Sequence, residues 1–310
     1  VNHRLNILGY LDLSACGPNY EQSANVGMLD IVKALEWVNK NIEKFGGDPS
    51  NVTILGESGG GGKVGTLMCM PVAKGLFHKA IIQSGTLLNV MSKEKSQALG
   101  LAVLENLGLT PADVNKLDTI AYAALVKAGN DAILKMSGPR KPGSATMFGF
   151  APSPDSVVLL QQPFSPGFAV ISNEIPLMMG TTLNELMPVA YGEKELTLEQ
   201  AKERLAKQYG NKTNKYIELF AKAYPNYTPQ DLLSIDNVFR PFTIRTADVW
   251  SKEGKAPLYV YFLAWKSAVD NASKGSFHGL DISLAFNTVD LRPDWTGNTE
   301  EAWELSGKMS

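Results

Sequence analysis

Ser58 stands at the centre of Gly56-Glu-Ser58-Gly-Gly60, directly after the β-branched run Val52-Thr-Ile-Leu55 and before a stretch able to form a helix. A strand that turns sharply into a helix holds its apex residue in a strained backbone conformation, and glycines two before and two after it give the turn room. The Ser58 hydroxyl would then project above a helix N-terminus. There the N–H of Gly59 points toward negative charge developing on an attacked carbonyl oxygen. The layout suits acyl transfer, with Ser58 as nucleophile and Gly59 N–H as an oxyanion-hole donor. A glycine-rich turn kept for packing alone is the competing reading. A phosphate-binding loop fails on register: counting back from Lys63 puts Glu57 where its first Gly belongs, and Val64 occupies the place of the magnesium-binding Ser or Thr.

A serine nucleophile needs a base to take its proton and a carboxylate to orient that base. The chain has 3 histidines. His3 lies in a segment that reads as strand and His78 in a connection just before one, so both read as structural or surface imidazoles. His278 follows a strand through a Gly-containing loop, where sheet folds place functional groups. It is the base by elimination and context. Glu185 follows an apolar strand through a short polar turn and is expected at a sheet edge, although its local pattern fits a solvated loop acid equally well. Ser58, Glu185 and His278 run in the order nucleophile, acid, histidine, the chain order of α/β-hydrolases.

The elements that must position these residues alternate. A strand is expected over residues 1–10, then a loop through Cys16-Gly-Pro18. An amphipathic helix over 25–45 follows, with Met28, Val32, Leu35, Val38, Ile42 and Phe45 on its apolar side and Gly46-Gly47 as its stop. Strands are expected over 52–55, 79–83, 175–179 and 258–263, with a helix from Ser58 to about Met70 and another beginning near Asn298. Apolar strands alternating with helices predict an α/β fold, a mostly parallel sheet flanked by helices. Helical blocks at about 92–135 and 197–253 carry start signals at Thr110-Pro-Ala-Asp113 and Thr197-Leu-Glu-Gln200. They read as insertions in a single domain over 1–310, building walls above the site. Phe148, Phe150, Tyr191, Phe239, Phe242 and Trp250 fit either the core or a substrate pocket.

At 44% hydrophobic and 19% charged, with a net charge of −2, the chain can bury a large core and lacks the charge imbalance of a nucleic-acid or anionic-membrane binder. No apolar run approaches bilayer-spanning length. The 2 cysteines imply no disulfide framework, which is compatible with a reducing, cytoplasmic setting and with a secreted one.

Four separated blocks resemble the type-B carboxylesterases, the cholinesterase-like branch of the α/β-hydrolases. They are Val1-Asn-His-Arg-Leu5, Phe45-Gly-Gly-Asp-Pro-Ser-Asn-Val-Thr53 through Gly56-Glu-Ser-Gly-Gly60, Gly180-Thr-Thr-Leu-Asn-Glu185, and Phe277-His-Gly-Leu-Asp281. Gly75-Leu-Phe-His-Lys-Ala-Ile-Ile-Gln-Ser-Gly85 fits as well, so the resemblance covers nearly the whole chain. It implies a serine esterase of small carboxylic esters that needs no metal or organic cofactor. It makes Ser58 the acyl-accepting nucleophile, His278 the general base and acid, and Glu185 the carboxylate that holds His278, and it places Ser84 beside that acid.

The chain departs from the family in having Gly59 where Ala is usual and His3 where Tyr is common. The family's His-Gly-Gly-Gly-type oxyanion loop lies upstream of the Asn-x-Arg strand, and its last helices lie beyond Ser310. The sequence therefore reads as an incomplete carboxylesterase, and losing one oxyanion donor typically costs about 10² to 10³ in rate. An unfinished sheet edge would be open to self-association. The alternatives are an inactive esterase fragment and a noncatalytic binding or adhesion module on the same fold.

Overall fold

Four apolar runs form strands, β1 (Thr53–Glu57), β2 (Lys79–Gln83), β3 (Leu177–Thr182) and β4 (Leu258–Leu263). In the computed structural model they make one sheet in the order β1-β2-β3-β4. The structure describes residues 1–87, 89–137, 149–165, 167, 170–186, 196–272 and 274–310. Strand neighbours advance together: Ala80 N–H donates to Pro176 O and Ser84 N–H to Gly180 O, while Leu177 N–H donates to Pro257 O and Leu183 N–H to Leu263 O. That is parallel register, as the apolar, non-alternating runs predict. β2 and β4 have the expected bounds. β3 starts two residues later than expected, after Pro176, which has no N–H to give a ladder.

The helices are α1 (Asn6–Tyr10), α2 (Val26–Asn41), α3 (Gly59–Leu67), α4 (Lys93–Asn106), α5 (Tyr122–Ser137), α6 (Leu198–Tyr209), α7 (Thr213–Ala223), α8 (Asp231–Ser234), α9 (Phe239–Glu253), α10 (Leu280–Ala285), α11 (Pro293–Thr296) and α12 (Glu300–Met309). The two expected start signals operate: Thr197 and Gln200 form a capping box on α6, and Thr110 and Asp113 form one on a 3₁₀ segment. At the head of α12 Thr299 Oγ1 accepts from Ala302 N–H.

Two expectations are corrected. Residues 1–10 contain no strand; α1 occupies Asn6–Tyr10 instead. Ile7, Tyr10 and Leu11 are buried while Leu8 is exposed, so the spacing that matters there is three and four. A helical turn also satisfies its own backbone, as in Gly9 N–H to Leu5 O, whereas a strand needs a neighbour. Phe45 is 71% exposed rather than on the apolar side of α2. The chain tightens to a 3₁₀ turn over Ile42–Phe45, and the Phe45 ring lies against the exposed Trp37, with centroids 5.9 Å apart.

The chain falls into two compact units, each assembled from separate stretches. Unit 1 comprises Val1–Ile82, Thr86–Met178 and Arg245–Tyr259; unit 2 comprises Gln83–Gly85, Met179–Ile244 and Val260–Ser310. In unit 1, Ile7, Leu11, Leu99, Val103, Ala128 and Ala132 form a core cluster uniting α1, α4 and α5. Each fully buried Leu or Val there is worth about 1.5–3 kcal/mol. Unit 2 has two clusters, one around Leu205 and Phe220 of α6 and α7, the other around Leu280, Leu284 and Ala302 of α10 and α12. Among the described residues no helix is long and apolar enough to cross a membrane.

Candidate active site

Ser58 occupies the apex between β1 and α3 with φ 55° and ψ −121°, a backbone region that costs a non-glycine residue strain and that recurs at functional sites. Gly56 is needed for this turn, because a Cβ on it would run into the backbone of Gly60. The second glycine of the pair is not needed in that sense: a Cβ on Gly60 meets nothing within 4 Å. The room comes from Gly56 alone. Gly59 opens α3, and its N–H belongs to the first turn, whose donors have no intrahelical acceptor. A Cβ on Gly59 would meet only Lys63 Nζ, at 3.8 Å, so the departure from Ala at this position is sterically neutral. α3 ends at Leu67, earlier than expected, and Met68–Met70 follow in a tighter turn with Cys69 N–H bonded to Thr66 O and Met70 N–H to Leu67 O.

Unit 2 brings Ser84, Glu185 and His278 together. Nδ1 of His278 lies 2.5 Å from Oε2 of Glu185. Oε1 of Glu185 accepts the Ser84 hydroxyl at 2.6 Å and the Thr182 N–H at 2.7 Å. The Glu185 side chain is fully buried, with 0% exposure, and that of His278 retains 17%. Glu185 is therefore a dry, fully engaged carboxylate and not a solvated loop acid. The backbone fixes the pair: His278 N–H donates to Glu185 O at 3.1 Å, Ser276 N–H to Asn184 Oδ1 at 2.7 Å, and Asn184 N–H to Ser276 O at 2.9 Å. These bonds clamp the turn after β3 to the loop after β4. Phe239 stacks on the His278 ring with centroids 5.0 Å apart and planes 13° apart, limiting its rotation. Ser58, Ser84 and Glu185 each follow a strand end, and all three have positive φ, at 55°, 47° and 51°.

His78 Nδ1 accepts Val52 N–H at 3.1 Å, which ties the entry of β2 to that of β1, and His3 Nδ1 lies 3.3 Å from Val1 O.

Sequence reasoning missed a second buried acid in unit 2. Asp281, in α10, accepts the Tyr261 hydroxyl at 2.5 Å and Gln83 Nε2 at 3.3 Å, both on Oδ2. Its Oδ1 is buried with no hydrogen-bond partner. Burial first, then the charge of Glu185, push the Asp281 carboxyl above the usual carboxylate range. Burial and Asp281 likewise push the Tyr261 hydroxyl up. Phe277-His-Gly-Leu-Asp281 carries the signal, since it sets a carboxylate three residues past the histidine, in the first turn of α10.

A cavity of about 910 Å³ in unit 1 is lined by Gly59, Gly62, Lys63 and Thr66 of α3 together with residues that include Met91, Lys95 and Phe150. Of the six aromatics with two readings, Phe150 lines this cavity and also packs on the unit 1 core. Trp250 is a core residue, 2% exposed, with its Nε1–H on Ala256 O. Phe239 serves the histidine. Phe148 and Tyr191 lie outside the described residues.

Comparison with known proteins gives the family. The model of the Carboxylesterase family matches residues 1–310. The para-nitrobenzyl esterase of Bacillus subtilis (strain 168) is 33% identical over 295 residues, which are 94% of this chain and 57% of that protein. A solved esterase from the anaerobe Clostridium hathewayi, described as able to hydrolyse aliphatic aromatic polyesters, superposes with a TM-score of 0.82 at 36% identity, covering 100% of this chain and 61% of its own. A solved PNB esterase gives a TM-score of 0.75 at 30% identity, covering 99% and 61%. The fold is that of the α/β-hydrolases, and none of these relatives is a binding module. The chain spans roughly three fifths of the length of each, 57% of the first and 61% of the two solved structures.

Proposed function

The chain belongs to the carboxylesterase family, and from that premise we propose that it hydrolyses small carboxylic esters through an acyl-enzyme formed on Ser58. The observation that carries the reading is the buried Glu185 held 2.5 Å from His278 Nδ1. A carboxylate at Nδ1 fixes the tautomer in which Nε2 is the proton acceptor, and it stabilises the imidazolium that results. The strained apex position of Ser58 supports its role, because a sharp strand-to-helix turn is the form in which a nucleophilic serine is presented at the top of a sheet.

In the proposed reaction Ser58 Oγ attacks the ester carbonyl as His278 takes its proton. The oxyanion rests on Gly59 N–H and on further donors of the whole protein. His278 then protonates the departing alcohol, deprotonates the water that attacks the acyl-enzyme, and returns the proton to Ser58. Ser84 and Thr182 hold Glu185 in orientation by occupying its second oxygen.

The test is hydrolysis of p-nitrophenyl acetate and butyrate by the chain and its Ser58→Ala variant, with fluorophosphonate labelling in parallel. Turnover lowered by at least about 10⁴-fold in the variant, together with loss of the label, is the expected result. Unchanged turnover in Ser58→Ala would remove Ser58 from the chemistry.

A further inference from the structure

Lys63 lies four residues after Gly59, so one helical turn brings both to the same face of α3. The structure sets Lys63 Nζ 3.3 Å from Gly59 O, on the wall of the 910 Å³ cavity. It is half-buried and has no ion-pair partner among the described residues. The described lining of that cavity contains two cations, Lys63 and the more exposed Lys95, and no carboxylate; Gly62, Thr66 and Met91 are among its neutral members.

Resting on the esterase reading above, we infer that Lys63 is a specificity residue that selects esters carrying a carboxylate, monoesters of dicarboxylic acids in chemical terms. An ammonium taken partly out of water without a counter-ion is costly. Burial accordingly holds the Lys63 amine below the ordinary lysine range. A substrate carboxylate supplies the missing charge in a partly desolvated place, where a charge-assisted hydrogen bond is worth more than at a solvated surface. Because Lys63 is anchored beside Gly59, the residue proposed to hold the oxyanion, the anionic group is read close to the scissile carbonyl.

The deciding experiment measures kcat/KM for monoethyl adipate and for ethyl hexanoate, which share an acyl chain length and differ in the terminal carboxylate. Wild type is compared with Lys63→Met and Lys63→Arg, and adipate binding is measured by calorimetry on the same three proteins. The expected result is a preference for monoethyl adipate that falls by about tenfold or more in Lys63→Met and survives in Lys63→Arg, with adipate binding following the same order. A ratio unchanged in Lys63→Met, or a parallel fall for both esters, overturns the inference while leaving the esterase reading intact. If neither ester is turned over, the esterase reading is decided by the p-nitrophenyl esters above, and the calorimetry still decides this inference: Lys63-dependent adipate binding supports the anion site, and its absence overturns it.

Discussion

Ser84 donates its hydroxyl hydrogen to Oε1 of Glu185 at 2.6 Å, and both residues have positive φ. The acid is thus held from the side away from His278 by a residue that follows a different strand. In Ser84→Ala the buried carboxylate keeps only the Thr182 N–H on that oxygen. Losing a buried bond to a charged group is expected to cost about 1–3 kcal/mol, read as a lower urea midpoint with an unchanged m-value. On the same protein, kcat for p-nitrophenyl butyrate should fall about tenfold with KM near wild type.

Removing the charge itself tests the pair more sharply. Glu185→Gln retains the shape of the side chain but cannot stabilise an imidazolium at His278, and its amide NH₂ can impose the wrong tautomer. A loss of about 10³- to 10⁴-fold in kcat is expected, with a near-native circular dichroism spectrum. Activity within threefold of wild type would detach Glu185 from the chemistry.

The two glycines that flank Ser58 should respond unequally. Gly56→Ala drives a methyl group into the Gly60 backbone, and overpacking against atoms that cannot move costs about 1–3 kcal/mol or more. Gly60→Ala has open space and improves helix propensity. Thermal unfolding of the two variants should separate them clearly, with Gly60→Ala at or above wild type.

Asp281 gives a pH dependence of defined sign. Its carboxyl is raised by burial and by Glu185, so the folded chain binds that proton more tightly than the unfolded one. The stability it contributes is complete below the unfolded value of about 4 and is lost as pH climbs through the raised folded value. Urea unfolding over that window should show wild type losing stability relative to Asp281→Asn, which has nothing to ionise. Parallel curves would mean the Asp281 carboxyl titrates normally.

Cys69 offers a simpler check. Burial pushes its thiol up to about 12, and the sulfur sits 3.4 Å from Gly65 O. Thiolate is therefore scarce at pH 8, and Cys69 should resist iodoacetamide until the chain is unfolded, while the partly exposed Cys16 is alkylated first.

The local sequence determined much of this protein. The β-branched run before Gly56-Glu-Ser58-Gly-Gly60 specifies a strand, Gly56 gives the room for a sharp turn, and the result is the strained conformation at Ser58. Thr197 with Gln200, and Thr110 with Asp113, cap their helices because each pair satisfies orphan N–H groups within four residues. β2 and β4 begin and end where their apolar runs do. Each of these depends on interactions a few residues long, which is why they can be read without the fold.

Tertiary structure decided the rest. Whether Glu185 is a solvated loop acid or a buried partner of His278 depends on residues 84, 182 and 278, brought together by parallel strand pairing across as many as 101 positions of sequence. Residues 1–10 look like a strand in isolation, yet α1 forms over Asn6–Tyr10, where a helix satisfies its own backbone. Asp281 and Lys63 take their character from their surroundings. Burial beside Tyr261 and Gln83 shifts the titration of the first, and a cavity wall that lacks carboxylates among its described residues leaves the second without a counter-ion. Desolvation is a property of the packed chain, so only the folded structure could set it.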